Sequence, residues 1–338
     1  MISSHKWLVL SLLSLLVLGS AIAYGVTAYV RHQATAAGPS EVQTTSARTT
    51  VAVPHIVFRN TASGAGYGRV ATVPLATPSA ARALSEQACD RVYATDAALS
   101  CLQIKRGVPT TYAATVFDRG GSEVTSRPLS GIPSRTRLSA DGALVATTSF
   151  VTGQSYATVG FSTETVISRI GGESFGNLEH FALWIDGDRM MAVDRNIWGV
   201  TFAADDTTFY ATAASGGRTW LVQGDLDSRT LTAVAESAEC PSLSPDGTRV
   251  AYKKNAGTRE APHWGIALLT LTTREEVVLP EQRNVDDQVE WLDDSTLLYG
   301  LPRDDAPGDS DVWSIAAAGT TAPSLLIEHA WSPSVVGK

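Results

Sequence analysis

The sequence contains few charged residues and no excess of basic ones. Only 18% of its 338 residues are Asp, Glu, Lys or Arg, and 34 acidic residues against 26 basic ones give a formal net charge of −8. A surface that binds nucleic acid needs a basic stripe to neutralise phosphates, so this balance argues against a nucleic-acid partner. The 44% of apolar residues is enough to build a substantial core.

Motifs that carry catalytic or cofactor chemistry are also scarce. The sequence has no P-loop and no G-x-G-x-x-G, C-x-x-C, H-x-H or H-E-x-x-H pattern, so no nucleotide, zinc or redox site is encoded locally. Gly172–Gly176 (GESFG) matches the G-x-S-x-G nucleophile elbow, but it lies in β-type sequence, and we interpret it as a glycine-rich loop. We therefore assign no catalytic residue, no metal ligand and no cofactor.

The sequence has only three cysteines. Outside the cytoplasm an odd count leaves one thiol unpaired. Cys89 and Cys101 flank a short β run and a turn, a spacing that suits a disulfide across a hairpin or between adjacent strands. Two buried free thiols are the alternative. If the disulfide forms, Cys240 is expected to be a reduced, buried thiol.

One long apolar segment is present, at Trp7–Val30, where 24 residues carry no charge. A spanning helix needs about 20 such residues, whereas the apolar region of a signal peptide is usually about 7–15 long. Length therefore favours an uncleaved transmembrane anchor. The A-x-A pattern at Ala21–Ala23 favours a cleaved signal peptide instead. Both alternatives send the rest of the chain across the membrane.

These features predict the organisation of the chain. Residues 1–6 form a cytoplasmic tail, 7–30 the anchor or signal peptide, 31–53 a flexible linker rich in Ala, Thr and Ser, and 54–336 the folded domain. The expected location is the cell membrane, as a single-pass protein with its domain outside the cytoplasm. Secretion after signal cleavage is the alternative.

Short β-type runs fill the folded domain. They are rich in Val, Thr and aromatic residues and are bounded by Gly, Pro, Asp or Ser, which is typical of many short strands. One unit recurs, at Leu138–Ala146 (LSADGALVA), Phe202–Tyr210 (FAADDTTFY), Leu243–Ala251 (LSPDGTRVA) and Trp291–Tyr299 (WLDDSTLLY). A further strand follows each unit, at Tyr156–Phe161, Trp220–Leu226, Gly265–Leu271 and Asp311–Ala316.

Each recurring unit contains a polar turn between two strands. An Asp side chain can accept backbone N–H groups of its own turn, and Gly tolerates a positive φ. We therefore expect a structural role for the turn residues Asp141, Gly142, Asp205, Asp246, Gly247 and Asp293.

The spacing of the turns predicts a propeller. The four turn aspartates are separated by 64, 41 and 47 residues, and periods of about 40–50 residues with four short strands each indicate propeller blades. The long first step contains an insertion or an extra element at Asn177–Asp194. Residues 54–336 divide best into six blades of about 47 residues.

Two blocks of sequence resemble a known family. Leu243–Lys254 (LSPDGTRVAYKK) and Asp311–Thr320 (DVWSIAAAGT) look like the repeat of TolB-like six-bladed β-propellers. The resemblance extends over about two-thirds of the chain and is weak between His55 and Ile132. It implies an all-β fold, a six-bladed β-propeller of four-stranded antiparallel blades, here preceded by one N-terminal transmembrane helix. The anchor replaces the N-terminal domain of TolB, so the role of TolB is not implied.

The sequence favours a non-catalytic module that binds a protein or a small ligand outside the cytoplasm, because the propeller accounts for its motifs without a catalytic set. The partner itself is not encoded in any motif, and attachment to the membrane is through residues 7–30. An extracytoplasmic propeller enzyme, a hydrolase or lyase acting on glycan or peptide at a channel mouth, is the alternative. A structural or sensory envelope partner is a third possibility. Carboxylates, histidines or a metal converging in the channel would favour the enzyme.

Overall fold

The computed structural model describes residues 2–46, 53–151, 162–258 and 261–337. The chain divides into two compact units, one made of 1–42 with 62–67 and the other of 43–61 with 68–338. The predicted strand at Tyr156–Phe161 lies outside the described residues.

The first unit contains helix α1, Ile2–Ala37. Its segment Val9–Thr27 has a mean hydropathy of 2.2 and none of it is buried. The hydroxyls of Ser20 and Thr27 donate to carbonyls one turn earlier, at 2.8 and 2.7 Å, so these polar groups are satisfied within the helix. By length and composition this helix could cross a membrane or serve as a signal sequence. It ends at Ala37 rather than at Val30, so the first part of the predicted linker is helical.

The second unit begins with a short strand inside the predicted linker, β1 (Thr44–Ser46). The next three strands are β2 (His55–Asn60), β3 (Arg69–Pro74) and β4 (Arg82–Ala88). β2, β3 and β4 form an antiparallel meander, and β1 pairs with β4 in parallel. We call this sheet blade 6, because it closes the ring described below.

Blades 1 and 2 are four-stranded antiparallel meanders. Blade 1 comprises β5 (Arg91–Ala94), β6 (Ala98–Lys105), β7 (Thr111–Asp118) and β8 (Glu123–Pro128). Blade 2 comprises β9 (Ile132–Leu138), β10 (Leu144–Val151), β11 (Ser162–Arg169) and β12 (Ser174–Asn177).

Blade 3 contains the element that the long sequence step predicts at Asn177–Asp194. A 3₁₀ turn at Leu178–His180 is followed by a hairpin of β13 (Ala182–Ile185) and β14 (Asp188–Met190). This hairpin extends the outer edge of a regular meander, with β13 parallel to β18. The meander comprises β15 (Asn196–Phe202), β16 (Thr208–Ser215), β17 (Arg218–Asp225) and β18 (Thr230–Glu236).

Blades 4 and 5 are again four-stranded antiparallel meanders. Blade 4 comprises β19 (Glu239–Leu243), β20 (Arg249–Asn255), β21 (Trp264–Thr270) and β22 (Glu276–Val278). Blade 5 comprises β23 (Glu290–Asp293), β24 (Thr296–Pro302), β25 (Ser310–Ala316) and β26 (Ser324–Ile327).

The ring closes through the last strand, β27 (Ala330–Val336). β27 pairs antiparallel with β2, with His55 opposite Val336 and Asn60 opposite Ala330. The first strands of the six blades, β5, β9, β15, β19, β23 and β27, each contact the next around the ring. They therefore surround a central channel. The predicted all-β fold, a six-bladed β-propeller, is confirmed.

The core consists of apolar layers between neighbouring blades. The largest buried cluster joins blades 2 and 3, where Leu144 and Ile167 pack with Phe209 and Trp220. Other clusters join blades 3 and 4, 4 and 5, 5 and 6, and 6 and 1, and a smaller one joins blades 1 and 2. Each blade is thus buried on both faces, which explains why its strands contain consecutive apolar residues.

The turn residues of the recurring unit show one hydrogen-bond pattern. In blade 4, Ser244 donates to Asp246 at 2.5 Å, and the backbone N–H of Thr248 donates to the same carboxylate oxygen at 2.9 Å. The hydrogen bond from Ser244 and that from the Thr248 backbone lower the pKa of Asp246. Backbone N–H groups are likewise accepted by Asp141, Asp205 and Asp293.

The aspartate turn recurs in blades 2 to 5 but not in blades 6 and 1, for two different reasons. In blade 6 the first strand, β27, comes from the other end of the chain, so no turn joins it to β2. In blade 1, Thr95 replaces the aspartate, and its hydroxyl accepts the N–H groups of Ala97 and Ala98 at 3.3 and 3.4 Å. The sequence motif is therefore missing although both blades form.

The predicted disulfide between Cys89 and Cys101 is confirmed. Cys89 follows the last strand of blade 6 and Cys101 lies on β6, so the bond pins the connection between the two blades. Both residues are buried in the layer between blades 6 and 1. Cys240 is free and buried, as expected.

Two turn glycines with the same backbone conformation provide a matched test of the packing between blades. Gly142 and Gly247 have φ of +73° and +69°, so alanine at either position should lose about 1–2 kcal/mol through backbone strain. A Cβ at Gly247 meets no atom within 4 Å, whereas one at Gly142 would lie 2.5 Å from the Cβ of Ala97 in blade 1. Denaturant unfolding should therefore show a larger loss for Gly142→Ala than for Gly247→Ala. An equal loss would contradict the close approach of blades 1 and 2.

Candidate functional site in the central channel

The innermost strands are irregular where they surround the channel. Register shifts interrupt β15, β19 and β27, and the residues there, Gly199, Cys240 and Ser332, have φ of +68°, +50° and +57°. Bulges of this kind re-aim neighbouring side chains and are common near binding sites. A Cβ at Gly199 would lie 2.8 Å from the Cα of Cys240, so a side chain there would force blades 3 and 4 apart.

A pocket of about 410 Å³ opens where the innermost strands reach the aspartate turns. We call it the turn-side pocket. Its wall includes Tyr93, Phe202 and Trp291, and its rim includes Asp96 and Asp246. Residues from all six blades line it, including Arg137, Ala140, Ala204, Ser242, Glu290 and Val335.

A buried ion pair lies beside this pocket. Arg137 Nη1 is 2.5 Å from Glu290 Oε2, and each side chain is 6% exposed. The second terminal nitrogen of Arg137 donates to the carbonyl of Val289 at 2.6 Å, and its guanidinium lies 4.4 Å from the centre of the Tyr93 ring. Burial disfavours the charged guanidinium, but Tyr93 and Glu290 outweigh it and raise the pKa of Arg137. The pair links blades 2 and 5 across the channel.

The opposite end of the channel holds a second group of charges. Lys253 Nζ lies 2.5 Å from Asp286 and 3.7 Å from Glu239, and its side chain is only 3% exposed. Partial desolvation opposes ionisation of Asp286, whose side chain is still 70% exposed, but the Lys253 ammonium outweighs it and lowers the pKa of this carboxyl. Burial raises the pKa of Glu239, although Lys253 opposes this. Asp287 accepts a hydrogen bond from the backbone N–H of Gly300 at 3.1 Å.

Two arginines lie near this group without a carboxylate within salt-bridge distance among the described residues. Arg135 donates to the backbone carbonyls of Ser134 and Asp286, at 3.0 and 3.3 Å, and its side chain also contacts that of Cys240. The guanidinium of Arg91 lies 5.3 Å from the centre of the Trp331 ring. Cys240 also lies here, close to both Arg135 and Lys253.

The motifs that the sequence suggested lie elsewhere. Ser174 of the G-x-S-x-G match begins the outermost strand of blade 2, and its hydroxyl donates to the carbonyl of Ile167 at 3.4 Å. It therefore sits in a sheet edge and not in a strand-to-helix turn. The six predicted turn residues form turns, and of these Asp246 and Gly247 line the turn-side pocket; their assignment as structural rather than binding residues stays a prediction.

The channel residues were not predicted individually. Glu239, Asp286, Asp287 and Glu290 do converge on the channel, but three of them lie beside Lys253 or Arg137. Within the described ranges, no group of three or more His, Cys, Asp or Glu side chains is arranged to hold a metal ion. The available sequence signal was the clustering of Asp286, Asp287 and Glu290 immediately before and at the start of β23.

Comparison with known proteins identifies the fold. No protein-family model matches the chain, and no curated protein matches it in sequence. The structure of TolB from Acinetobacter baumannii matches with a TM-score of 0.58 and 14% identity, over 84% of this chain and 66% of that one. A chain of the nidogen/laminin complex matches with a TM-score of 0.55 and 11% identity, over 83% of this chain and 98% of that one. At these identities the likeness establishes the fold alone, and the TolB-like propeller predicted from the sequence is confirmed at that level.

The ion pair beside the pocket can be tested with a double-mutant cycle. Arg137→Met leaves Glu290 buried without its cation, and breaking a buried pair costs about 3–5 kcal/mol. The double variant Arg137→Met/Glu290→Gln should lose less free energy of unfolding than the sum of the two single variants, because the partners interact. The exposed pair of Arg218 and Glu236 provides the control, since Arg218→Met should cost less than about 1 kcal/mol. Similar losses for Arg137→Met and Arg218→Met would contradict a buried link across the channel.

Proposed function

We propose that this protein is a membrane-anchored β-propeller that binds a protein or small-ligand partner outside the cytoplasm, in the turn-side pocket. The observation that carries the proposal is the pocket itself. Its volume of about 410 Å³ falls within the range of about 300–1,000 Å³ that is usual for ligand sites. Because all six blades contribute to its lining, the pocket exists only in the closed ring.

The chemistry of the lining supports binding. Tyr93, Phe202 and small residues such as Ala140 and Ala204 offer apolar and aromatic surface, and Asp96 and Asp246 offer acceptors at the rim. Arg137 and Glu290 neutralise each other, so neither is held as a free acid or base. Apolar walls with a few fixed polar groups are the common composition of a recognition site.

A second candidate is an extracytoplasmic enzyme, a hydrolase or lyase acting on glycan or peptide. The observation that favours it is Glu239, a carboxyl near the opposite channel mouth whose pKa is raised by burial. Perturbed carboxyls in clefts are candidate acids or bases. This candidate differs from the first in requiring turnover of its ligand.

Helix α1 leads to a test of membrane attachment. Its apolar segment Val9–Thr27 is fully exposed in the first unit, and the uncharged stretch is long enough to span a bilayer. We expect the native protein to remain in the membrane pellet after carbonate extraction. A soluble protein whose mature N-terminus lies near Tyr24 would show instead that a signal peptide is removed.

Site-specific crosslinking tests the turn-side pocket. A photoreactive residue at Ala140, on the exposed rim, should give a discrete adduct in living cells. Ala204→Trp should abolish that adduct because the indole fills the pocket. Val277→Trp is the matched control, since Val277 is exposed on the outer strand β22, away from the channel. An adduct that persists with Ala204→Trp, or that Val277→Trp removes equally, would refute binding in the pocket.

A further inference from the structure

The charges in the channel are unevenly compensated. Glu290 faces Arg137, and Asp286 and Glu239 face Lys253. The side chain of Arg91, in contrast, makes no hydrogen bond or ion pair with any residue in the described parts of the chain, and its guanidinium lies over the face of Trp331. A guanidinium carries five N–H donors, and leaving such donors unmade in a protein interior is costly.

Arg135, on the neighbouring blade, also has an unmet donor. Its guanidinium donates to two backbone carbonyls and contacts the side chain of Cys240, but its Nε is buried without a partner in the described chain, as is Nη1 of Arg91. The two guanidinium groups are close enough to repel each other. Burial first, and then the charge of Arg135, lower the pKa of Arg91 to about 10, while Asp287 and Asp286 partly oppose this.

We propose that this end of the channel is an oxyanion site, in which Arg91 and Arg135 together hold a carboxylate, phosphate or sulfate group. An oxyanion placed between the two groups supplies the acceptors that the chain does not provide and removes their mutual repulsion. Guanidinium groups suit such ligands because their parallel N–H groups match two oxygens of one anion.

The surroundings favour an anion over a cation. Besides Arg91 and Arg135, the positive side chains of Arg59 and Lys253 act on this end of the channel. The facing carboxyls are Asp286, Asp287 and Glu239. Asp286 is paired with Lys253, and burial disfavours the ionised form of Glu239. Asp287, which accepts from the backbone N–H of Gly300, favours the charge of both Arg91 and Arg135, but it is one acidic side chain against two guanidinium groups. Net positive charge is therefore left over at the two arginines.

The site is independent of the function proposed above. It lies where the innermost strands begin, whereas the turn-side pocket lies where they end. Neither Arg91 nor Arg135 lines that pocket, and neither does Lys253 or any of the three carboxyls that face them. An oxyanion would bind at this end even if the turn-side pocket bound nothing.

The test measures thermal unfolding of the full-length chain in detergent with increasing potassium phosphate or sodium succinate, against sodium chloride at equal ionic strength. The wild type should gain a saturable rise in Tm beyond the chloride control, as ligand binding to the folded state requires. Arg91→Gln and Arg135→Gln should each raise the apparent Kd at least about tenfold. A larger response to phosphate assigns a phosphate group, and a larger response to succinate assigns a carboxylate.

Arg218→Gln is the control variant, because Arg218 forms an exposed ion pair on β17 of blade 3; it should respond like the wild type. A rise in Tm that is the same in Arg91→Gln and the wild type would be a general salt effect and would overturn the proposal. If the arginine variants do not fold, phenylglyoxal labelling of arginines in the wild type tests the proposal instead. Phosphate or succinate should protect Arg91 but not Arg218, and equal labelling with and without the anion would overturn the proposal.

Discussion

The pairing of β27 with β2 is the constraint on which the rest of the molecule depends. It joins strands from opposite ends of the propeller and places blade 5 next to blade 6 and blade 6 next to blade 1. Without it the six apolar layers would not form a ring, and the innermost strands would not surround a channel. The buried disulfide at Cys89 and Cys101 holds the same region from the side of blade 1. The closure therefore creates both the core and the candidate sites.

Closing the ring also forces charged residues into a narrow space. Arg137 and Glu290 compensate each other, as do Lys253 and Asp286. Each of these pairs joins two blades, so they also fix the blades relative to one another. Burying a charge is costly unless it is paired, so Arg91 and Arg135, neither of which has an ion-pair partner in the described chain, are the exceptions in this channel.

The sequence predicted those parts of the fold that are encoded locally. Asp246 and Gly247 lie within one turn, so their residue types predict that turn directly. The long interval between Asp141 and Asp205 indicated the extra element that forms the hairpin β13–β14. The channel could not be predicted in this way. Arg137 and Glu290 are far apart in sequence and meet only because the ring closes, so no spacing links them. Blade 6 was the hardest to recognise because its first strand is contributed by β27.

Closure by the last strand also has a consequence for how the chain folds during synthesis. Strands β2 to β4 emerge early, but the edge of β2 has its permanent neighbour only once β27 has been synthesised. Until then that edge exposes unpaired N–H and C=O groups, which are a template for pairing with other chains. The cysteines of the disulfide emerge soon after β4, so blade 1 can be fastened to blade 6 while the ring is still open. If the chain is exported as proposed, this early crosslink would hold the first blades in place until the last strand arrives.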